Sequence, residues 1–304
     1  MTLLRSSSAK LSNALLALLA AALLPGAVLA HPSRGVVVAP NGRIYFSDLV
    51  RIWEVSGSRL RLVHRNPGTH THALALDPAG RLVWEESRYD PASRIYSETV
   101  WQLDRGRVTR RLGPLRPPVR GMGIHFDREG CTYHADQVGR GGPALVHRWC
   151  PGGAPARLFG SASDDRRFRP ELINDVGGAV LAPDGRFLFR QGGMVWAVDR
   201  RGRAQLLARN LADENFGIAL DPAGALLVAE HRNRRLLRIL GGRTRVAATT
   251  PPGWAPTGAA AGRGFIVLLE ASDHRPGEPS RMRLRKLGPG GQSRVLAHVA
   301  LPQG

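Results

Sequence analysis

A short unit repeats six times along the chain, and this repeat constrains the fold more than any other feature. In each unit an apolar run leads into a glycine turn and a second apolar run follows, most clearly in residues 216–230. The turn glycines are Gly42, Gly80, Gly130, Gly185, Gly224 and Gly264, spaced by 38, 50, 55, 39 and 40 residues. Repeats of about 40 residues are typical of four-stranded propeller blades. We therefore predict an all-β fold, a six-bladed β-propeller of four-stranded blades.

Two further positions repeat in register with the turn glycines. Six residues after each glycine stand Asp48, Glu86, Asp136, Gln191, Glu230 and Glu270. Seven residues before each glycine, or six in the last unit, stand Gly35, Ala73, Gly123, Gly178, Gly217 and Gly258. A small residue there lets the innermost strands approach each other around a central channel. Because acids recur in nearly every unit, we expect them mainly to accept hydrogen bonds from the following turn, with Glu230 kept as a catalytic candidate.

Each unit continues with a third strand and a fourth strand, which account for most of the remaining residues. The predicted third strand follows the acidic position, and the fourth follows a second glycine-bearing turn. The longer units contain insertions at residues 87–97, 137–142, 161–170 and 272–280, which we predict to be surface loops. No stretch after residue 30 has sustained helical periodicity.

The first thirty residues have the features of a secretory signal peptide. Arg5 and Lys10 precede an apolar run, residues 14–24, and the sequence Val28-Leu29-Ala30 fits a cleavage site. The run of eleven apolar residues is too short to span a bilayer. We predict a cleaved signal peptide, residues 1–30, and an exported propeller, residues 31–304. That mature chain is expected to be periplasmic or extracellular and monomeric, with no membrane span.

The chain is strongly basic, with a formal net charge of +19 that comes almost entirely from arginine. A basic surface suits nucleic acid, anionic lipid or acidic glycan. The arginines, however, occur in every unit, and no nucleic-acid-binding motif accompanies them. We therefore interpret the charge mainly as the coding bias of a GC-rich genome and predict no specific nucleic-acid partner.

The two cysteines both lie in the third unit. Cys131 opens its second predicted strand and Cys150 closes its third, so the hairpin between them places the two side by side. In an exported protein such a pair is expected to form a disulfide. The alternative is two buried free thiols.

One mouth of the predicted channel collects polar side chains. The starts of the first strands and the ends of the second strands meet there, and such concave mouths are common binding sites. The positions on this ring are Ser33 and Arg34, His70 to His72, Arg120 and Gly121, Asn174 and Asp175, Glu214 and Asn215, and Pro256 and Thr257. Arg34, Arg120 and His70 are the candidate ligand-binding residues, with the arginines suited to an anionic group.

Residues 215–240, with Gly-Ile-Ala-Leu-Asp-Pro, Leu-Val-Ala-Glu and then Arg-Asn-Arg-Arg-Leu, resemble the NHL repeat. The whole chain after residue 30 is similar to the gluconolactonase/regucalcin-like six-bladed propellers. This resemblance implies a divalent cation at the mouth, calcium first, held by oxygen ligands. It implies Asn174 or Asp175 as the ligand in the fourth blade and Glu214 or Asn215 in the fifth, with Asp175 also a catalytic candidate. The chain departs from the family pattern at Ser33-Arg34, where the family has a glutamate, and at Gly121, where it has an asparagine.

His70 and His72 are two residues apart, so in an extended segment their side chains face the same way. They could join a metal or act as a general base, and His72 is a catalytic candidate. The alternative is a solvated pair in a turn after Pro67-Gly68. His125 lies inside a predicted strand, where a packed and hydrogen-bonded histidine is the usual case.

The sequence leaves three functional hypotheses open. The first is an exported propeller with a small-ligand site at the channel mouth, in its catalytic form a metal-assisted hydrolase of lactones or esters. The second is a non-catalytic binding propeller that recognises a protein, a glycan or another envelope component. The third is a lyase or isomerase that uses the histidines of the same mouth.

Overall fold

A computed structural model gives the structure of the chain. It describes residues 33–90, 92, 95–115, 124–137, 144–150, 152–154, 156–160, 176–191, 193–212, 215–273 and 280–301. All of these residues belong to one compact unit that spans residues 32–301. The predicted signal peptide lies outside the described residues.

The described residues form six antiparallel sheets of four consecutive strands each. Blade 1 contains β1 (Val36–Val38), β2 (Ile44–Ser47), β3 (Arg51–Ser56) and β4 (Arg59–Arg65), and blade 2 contains β5 (Leu74–Leu76), β6 (Leu82–Asp90), β7 (Ile95–Asp104) and β8 (Arg107–Leu115). Blade 3 contains β9 (Ile124–Phe126), β10 (Thr132–Gln137), β11 (Ala144–Trp149) and β12 (Ala156–Gly160), and blade 4 contains β13 (Val176–Leu181), β14 (Phe187–Gln191), β15 (Met194–Val198) and β16 (Ala204–Ala208). Blade 5 contains β17 (Asn215–Leu220), β18 (Leu226–Glu230), β19 (Arg235–Leu240) and β20 (Arg243–Thr249), and blade 6 contains β21 (Trp254–Gly262), β22 (Phe265–Ser272), β23 (Arg281–Leu287) and β24 (Ser293–Ala300). A short 3-10 helix, Pro289–Gly291, connects β23 to β24.

The first strands of the six blades line the centre and close the ring. They pack on one another in chain order, from β1 through β5, β9, β13 and β17 to β21, and β21 packs back on β1. Each sheet is built from its own four consecutive strands, so within residues 33–301 as described blade 6 meets blade 1 by packing and not by an exchanged strand. The predicted six-bladed all-β propeller is confirmed.

The six turn glycines lie between the first and second strands of their blades, as predicted. All six have positive φ values, from 74° to 84°, a conformation that favours glycine. In three blades an aspartate closes this turn. The carboxylates of Asp77, Asp127 and Asp221 each accept two backbone N–H groups from the residues that follow.

Two of the small residues before the turns are required by close packing of the central strands. A Cβ atom on Gly258 would lie 2.3 Å from the carbonyl oxygen of Arg34, and one on Gly217 would lie 2.9 Å from the carbonyl oxygen of Thr257. Real Cβ atoms do not approach a backbone oxygen so closely. These glycines therefore allow blades 1, 5 and 6 to meet at the channel.

Strand β14 shows how neighbouring blades share the core. Its side chains alternate between the two faces of the sheet, as the two-residue period of a strand requires. Phe187 and Phe189 pack with Tyr133 of blade 3, whereas Leu188 packs with Val228 of blade 5. All five side chains are buried. Each sheet thus contributes one apolar layer to each of its neighbours.

The predicted disulfide is present between Cys131 and Cys150. The pairing of Thr132 with Trp149 in the β10–β11 hairpin places the two cysteines next to each other at its open end. The disulfide predicted from the hairpin is confirmed.

The prediction of a loop at residues 87–97 was wrong. Strands β6 and β7 stay paired through Ser87–Glu98 and Asp90–Ile95, so the insertion lengthens a hairpin. Additional cross-strand pairs keep the backbone hydrogen-bonded without a separate loop. Of the other predicted insertions, residues 138–142, 161–170 and 274–279 lie outside the described residues.

Candidate functional site

The central channel has two different ends. We call the end where first strands begin and second strands finish the mouth, and the end with the turn glycines the far end. A cavity of about 430 Å³ runs between them, with Arg34 lining it at the mouth and Asp221 at the far end. The wall between is formed mainly by alanine, valine, leucine and glycine residues of the first strands. The channel is therefore an apolar pocket with charged groups at its ends.

The repeated acids whose side chains the structure describes at the mouth are buried and engaged in hydrogen bonds. Asp48 is fully buried and accepts hydrogen bonds from Arg51 Nε at 2.7 Å and from Trp53 Nε1 at 2.8 Å. Glu270 is fully buried between Arg283 and Arg285, with Arg285 Nη2 at 2.7 Å. These carboxylates stabilise the blade edge, which agrees with the structural role predicted for the series.

Glu230 occupies the same position in blade 5 and is also fully buried. Its carboxylate accepts hydrogen bonds from the Ala212 N–H at 2.9 Å, from Asn233 Nδ2 at 3.3 Å and from Arg235 Nε. Burial raises the pKa of Glu230, but these hydrogen bonds outweigh burial, so its pKa lies below the usual value. Its contacts are those of a structural acceptor, and its catalytic role stays a prediction.

Gln191 is the one neutral member of the acidic series. The third strands or turns of blades 1, 5 and 6 supply an arginine to the acid, whereas β15 of blade 4 contains none. A buried carboxylate without such a partner would be costly, and an amide avoids that cost. The Gln191 side chain is fully buried, and neither of its amide atoms has a hydrogen-bond partner in the part of the chain that the structure describes.

The segment from His70 to His72 is held rigidly at the mouth through Thr71. The Thr71 N–H donates to the carbonyl of Leu49 at 2.6 Å, and the Thr71 carbonyl accepts from Ser47 Oγ at 2.9 Å and from Ser33 Oγ at 3.4 Å. Thr71 is fully buried, and its hydroxyl accepts from a neighbouring asparagine amide. Every polar group of Thr71 is thus satisfied within the fold.

The two histidines flank this anchor on the outside. The His70 backbone pairs with Ser87 of β6 in both directions, at 2.9 and 2.8 Å. The rings of His70 and His72 lie edge to face with centroids 5.9 Å apart, so they face the same side as predicted. The His70 side chain is exposed and that of His72 is half-buried. Side chains on an anchored segment are suited to contact a ligand without a large loss of entropy.

Leu49, whose carbonyl accepts the hydrogen bond from the Thr71 N–H, has an unusual backbone conformation. Its φ is 84° although its side chain is 3% exposed. A buried leucine rarely adopts positive φ, and such strain persists only where surrounding contacts hold it. Ser47 Oγ accepts from the Leu49 N–H at 3.0 Å, which supplies one such contact. Strain of this kind is concentrated at functional sites, and here it adjoins the two histidines.

Arg34 lies next to this segment, two residues before β1 of blade 1. Its backbone N–H donates to the His72 carbonyl at 3.3 Å, and its half-buried side chain lines the channel cavity. The structure therefore brings together three of the predicted site residues: Arg34, His70 and His72. Their contact depends on pairing between blades 1 and 2, which the linear sequence does not display.

The other predicted site residues lie largely outside the described residues. This applies to Arg120, Asn174, Asp175 and Glu214. Asn215 opens β17, where its backbone pairs with Glu230 and a register shift follows before Ile218. For Asn215 the backbone alone is described.

One acidic group at the far end has a geometry that could suit a metal ion, but its members are already engaged. It consists of Asp127, Glu129 and Cys131. Cys131 is in the disulfide, and Arg148 Nη2 bonds to Asp127 at 3.1 Å and to Glu129 at 2.7 Å. A cation there would have to displace the guanidinium, so we assign this cluster to structure.

His125 is a channel residue, although its position in a predicted strand indicated only a packed, hydrogen-bonded side chain. Its ring lines the cavity, lies edge to face with Phe187 and is hydrogen-bonded to the backbone of Ala179 in blade 4. Burial lowers the pKa of His125 to about 4, although the Ala179 hydrogen bond opposes that shift. The imidazole is therefore neutral at pH 7, and it places a polar group on the apolar channel wall.

Comparison with known proteins finds similarity in structure alone. No protein-family model and no curated protein matches the chain. A streptogramin B lyase superposes with a TM-score of 0.56 at 15% identity, covering 91% of this chain and 86% of the lyase. A gluconolactonase from Xanthomonas campestris gives 0.57 at 14% identity (79% and 83% covered), and a calcium-binding regucalcin from Agrobacterium tumefaciens gives 0.57 at 15% identity (81% and 84% covered).

These likenesses confirm the resemblance to gluconolactonase/regucalcin-like propellers at the level of the fold. Because identities are this low, they carry no residue from those proteins to this chain. Among the described residues, no helix has the length and apolar character needed to cross a membrane.

Proposed function

We propose that the protein is an exported propeller that binds a small ligand with an anionic group at the channel mouth. The observation that carries this proposal is the Thr71-anchored segment, which holds His70 and His72 at the mouth next to Arg34, the residue that lines the cavity there. Export is supported by the signal-peptide pattern and by the disulfide, which suits an oxidising compartment.

The chemistry of the site favours a ligand with one charged end and an apolar body. Arg34 supplies a permanent cation, and its half-buried position strengthens the attraction for a carboxylate or phosphate. Below it, the cavity of about 430 Å³ falls within the range of small-molecule pockets and is walled mainly by apolar side chains. His125 offers one neutral hydrogen-bonding group deeper in the channel.

In its catalytic form the proposal is a divalent-cation-assisted hydrolase of lactones or esters, with calcium as the preferred ion. The described acids at the mouth do not fit this role, because Asp48, Glu230 and Glu270 are engaged with arginines. Calcium binding therefore depends on Asn174, Asp175, Glu214 and Asn215, as the family resemblance implies. The solved gluconolactonase and the calcium-binding regucalcin support keeping this form under test.

Two other functions use the same mouth. Recognition of a protein, a glycan or another envelope component without catalysis is favoured by Arg34 and by the engagement of the described acids. Elimination or isomerisation with His72 as the base is favoured by the two neighbouring rings, and the streptogramin B lyase shares this fold.

Ligand screening tests the proposal directly. Thermal shift is measured with aromatic and aliphatic carboxylates, phosphate monoesters and the neutral amide of each acid. We expect stabilisation by anions and not by amides, lost in Arg34→Gln and retained in Arg107→Gln, an exposed arginine of blade 2. Equal responses to anions and amides, or equal loss in both variants, would contradict anion recognition at Arg34.

A second experiment separates the catalytic form from the binding form. The mature protein is dialysed against a chelator, and hydrolysis of aldonolactones and aryl esters is followed with and without calcium. Calcium-dependent turnover that disappears in the double variant Asp175→Ala/Asn215→Ala supports the hydrolase. Absence of calcium binding in the wild type, with anion binding retained, leaves the binding propeller as the function.

A further inference from the structure

The positive charge is unevenly distributed along the chain. Residues 231–304 contain thirteen arginine and lysine residues and only three acidic residues, Glu270, Asp273 and Glu278. Glu270 is buried between two arginines, and Asp273 is paired with Arg234. Counted over the whole of blades 5 and 6, residues 215–304, Asp221 and Glu230 add two acids, and these blades contribute +8 to the chain's net charge of +19.

The outermost strands of three contiguous blades carry this surplus. We call the surface of β20 in blade 5, β24 in blade 6 and β4 in blade 1 the basic rim. None of these strands contains an acidic residue. Arg59, Arg243, Arg245 and Arg294 are exposed on the rim and have no ion pair within the described part of the chain. The rim thus presents cations without counter-charges of its own.

The same three blades also expose apolar side chains. The large hydrophobic residues that are most exposed among those described are Leu60, Leu62, Leu240, Val246 and Val295, between 39% and 49% exposed. All five lie in blades 1, 5 and 6, and four are on the rim strands, each directly next to an arginine. On the outer strands of blades 2, 3 and 4, the corresponding described side chains are half-buried: Val108, Leu112, Leu158, Leu206 and Leu207.

A cleft between blades 5 and 6 opens beside the rim. Its volume is about 790 Å³, and Val246, Phe265 and Ile266 contribute to its apolar wall. Two of its arginines are paired, Arg238 with Asp221 and Arg285 with Glu270. Arg245 is the lining arginine without an acidic partner in the described residues. An anionic head group with an apolar chain would match both features.

We propose that the basic rim of blades 5, 6 and 1 docks onto an anionic phospholipid surface. Arginine attracts anionic head groups, and alternating leucine and valine side chains can enter the interface between head groups and acyl chains. A second copy of the chain fits poorly, since it would place like charges against each other. Single-stranded nucleic acid usually stacks on aromatic side chains, and the rim strands contain no phenylalanine, tyrosine or tryptophan.

Vesicle co-sedimentation tests this proposal with the full mature chain. The probes are vesicles of phosphatidylcholine alone and of phosphatidylcholine with phosphatidylglycerol, at low and at high salt. The rim variant is Arg243→Gln/Arg245→Gln/Arg294→Gln. The matched control is Arg107→Gln/Arg110→Gln/Arg157→Gln, three exposed arginines on the outer strands of blades 2 and 3 that have no ion pair among the described residues. A third variant, Leu62→Ser/Val246→Ser, keeps the charge and removes apolar contacts.

We expect binding to phosphatidylglycerol vesicles that weakens with salt and is nearly absent on neutral vesicles. At about 1 kcal/mol for each arginine near the surface, the rim variant should partition roughly a hundredfold more weakly and the control only slightly so. The apolar variant should bind several-fold more weakly at high salt. Circular dichroism confirms that each variant is folded.

Three results would overturn the proposal. One is no binding to anionic vesicles by the folded wild type. Another is equal weakening in the rim and control variants, which would indicate net charge alone. The third is rim-dependent binding of heparin or DNA without vesicle binding, which would assign the rim to an anionic polymer.

Discussion

The mouth and the far end of the channel are built from the same six blades, yet they use polar side chains differently. At the far end the arrangement repeats: Asp77, Asp127 and Asp221 each close a glycine turn and each pair with arginines. At the mouth the acids repeat as well, but within the described part of the chain the Thr71 anchor, the strained Leu49 and the two histidines are found only between blades 1 and 2. What repeats serves the fold, and what occurs once is the candidate for function.

The strongest test of this comparison replaces two glycines of blade 6, Gly258 inside β21 and Gly264 in the turn that follows β21. At the mouth end, Gly258→Ala forces a Cβ to within 2.3 Å of the Arg34 carbonyl, so the ring must open locally. We expect a loss of more than about 3 kcal/mol in the free energy of unfolding. At the far end, Gly264→Ala meets no atom within 4 Å, and its φ of 74° costs only about 1 kcal/mol. Urea denaturation measures both, and similar losses would contradict the packing described for the mouth.

His125 lies between the two ends, and its pKa depends on how far water is excluded from the channel. Its pKa of about 4 in the folded state is below the value of 6.5 in the unfolded chain, so its contribution is complete above pH 6.5 and lost as pH falls towards 4. The loss amounts to at most about 3 kcal/mol. Stability of wild type and His125→Asn is compared by urea denaturation from pH 7 to pH 4, with exposed His298→Asn as control. Wild type and the His298 variant should lose more stability on acidification than His125→Asn; parallel curves for all three would show a solvated imidazole.

The Cys131–Cys150 disulfide cross-links β10 and β11 at the far end of blade 3. Closing a loop with a sequence separation of 19 residues stabilises the fold by about 3 kcal/mol in the chain-entropy model. The double variant Cys131→Ala/Cys150→Ala should therefore melt several degrees lower than the oxidised protein. Reducing agent should lower the melting temperature of the wild type alone. If reductant does not change the melting temperature of the wild type and mass spectrometry finds two free thiols, the disulfide is contradicted.

Blade 5 has one paired carboxylate at each end of the channel, so the loss of stability on removing each charge can be compared. Glu230→Gln removes the buried partner of Arg235, and we expect a loss of about 2 kcal/mol because Arg235 is partly exposed. Asp221→Asn keeps an oxygen for the turn N–H groups and should lose about 1 kcal/mol. Thermal denaturation ranks the two variants, and the reverse order would mean that the turn, not the mouth acid, holds the blade.

The repeat in the sequence was sufficient to predict the blades. Turn glycines need positive φ, third strands follow each acid, and a hairpin places Cys131 opposite Cys150, so each of these inferences depends on local rules. The loop prediction at residues 87–97 failed for the same reason. Nothing local in Ser87 to Ser97 shows that cross-strand pairing will continue through it.

The site was harder to predict because its contacts are distant in sequence. Register arguments placed Arg34, His70 and His72 on one ring, but the Thr71 carbonyl is held by Ser33 and Ser47, which are 38 and 24 residues away. The positive φ of Leu49 could not be predicted from the sequence, because leucine does not favour this conformation. For His125, the alternation of side chains along a strand predicts which face of the sheet the ring lies on. It does not predict that this face forms part of the channel wall.

Chemical-shift mapping of ligand binding tests the central claim that the mouth, and not the far end, is the functional end. Isotope-labelled mature protein is titrated with benzoate as an anion with an apolar body, and backbone amide shifts are followed. We predict the largest changes at Arg34 and at His70 to His72, with none at the far-end turns of Gly80 and Gly224, and a roughly tenfold weaker affinity in Arg34→Gln, the effect of losing one charge-assisted hydrogen bond. Changes confined to the far-end turns, or no saturable change at the mouth with any anion of the panel, would contradict the account.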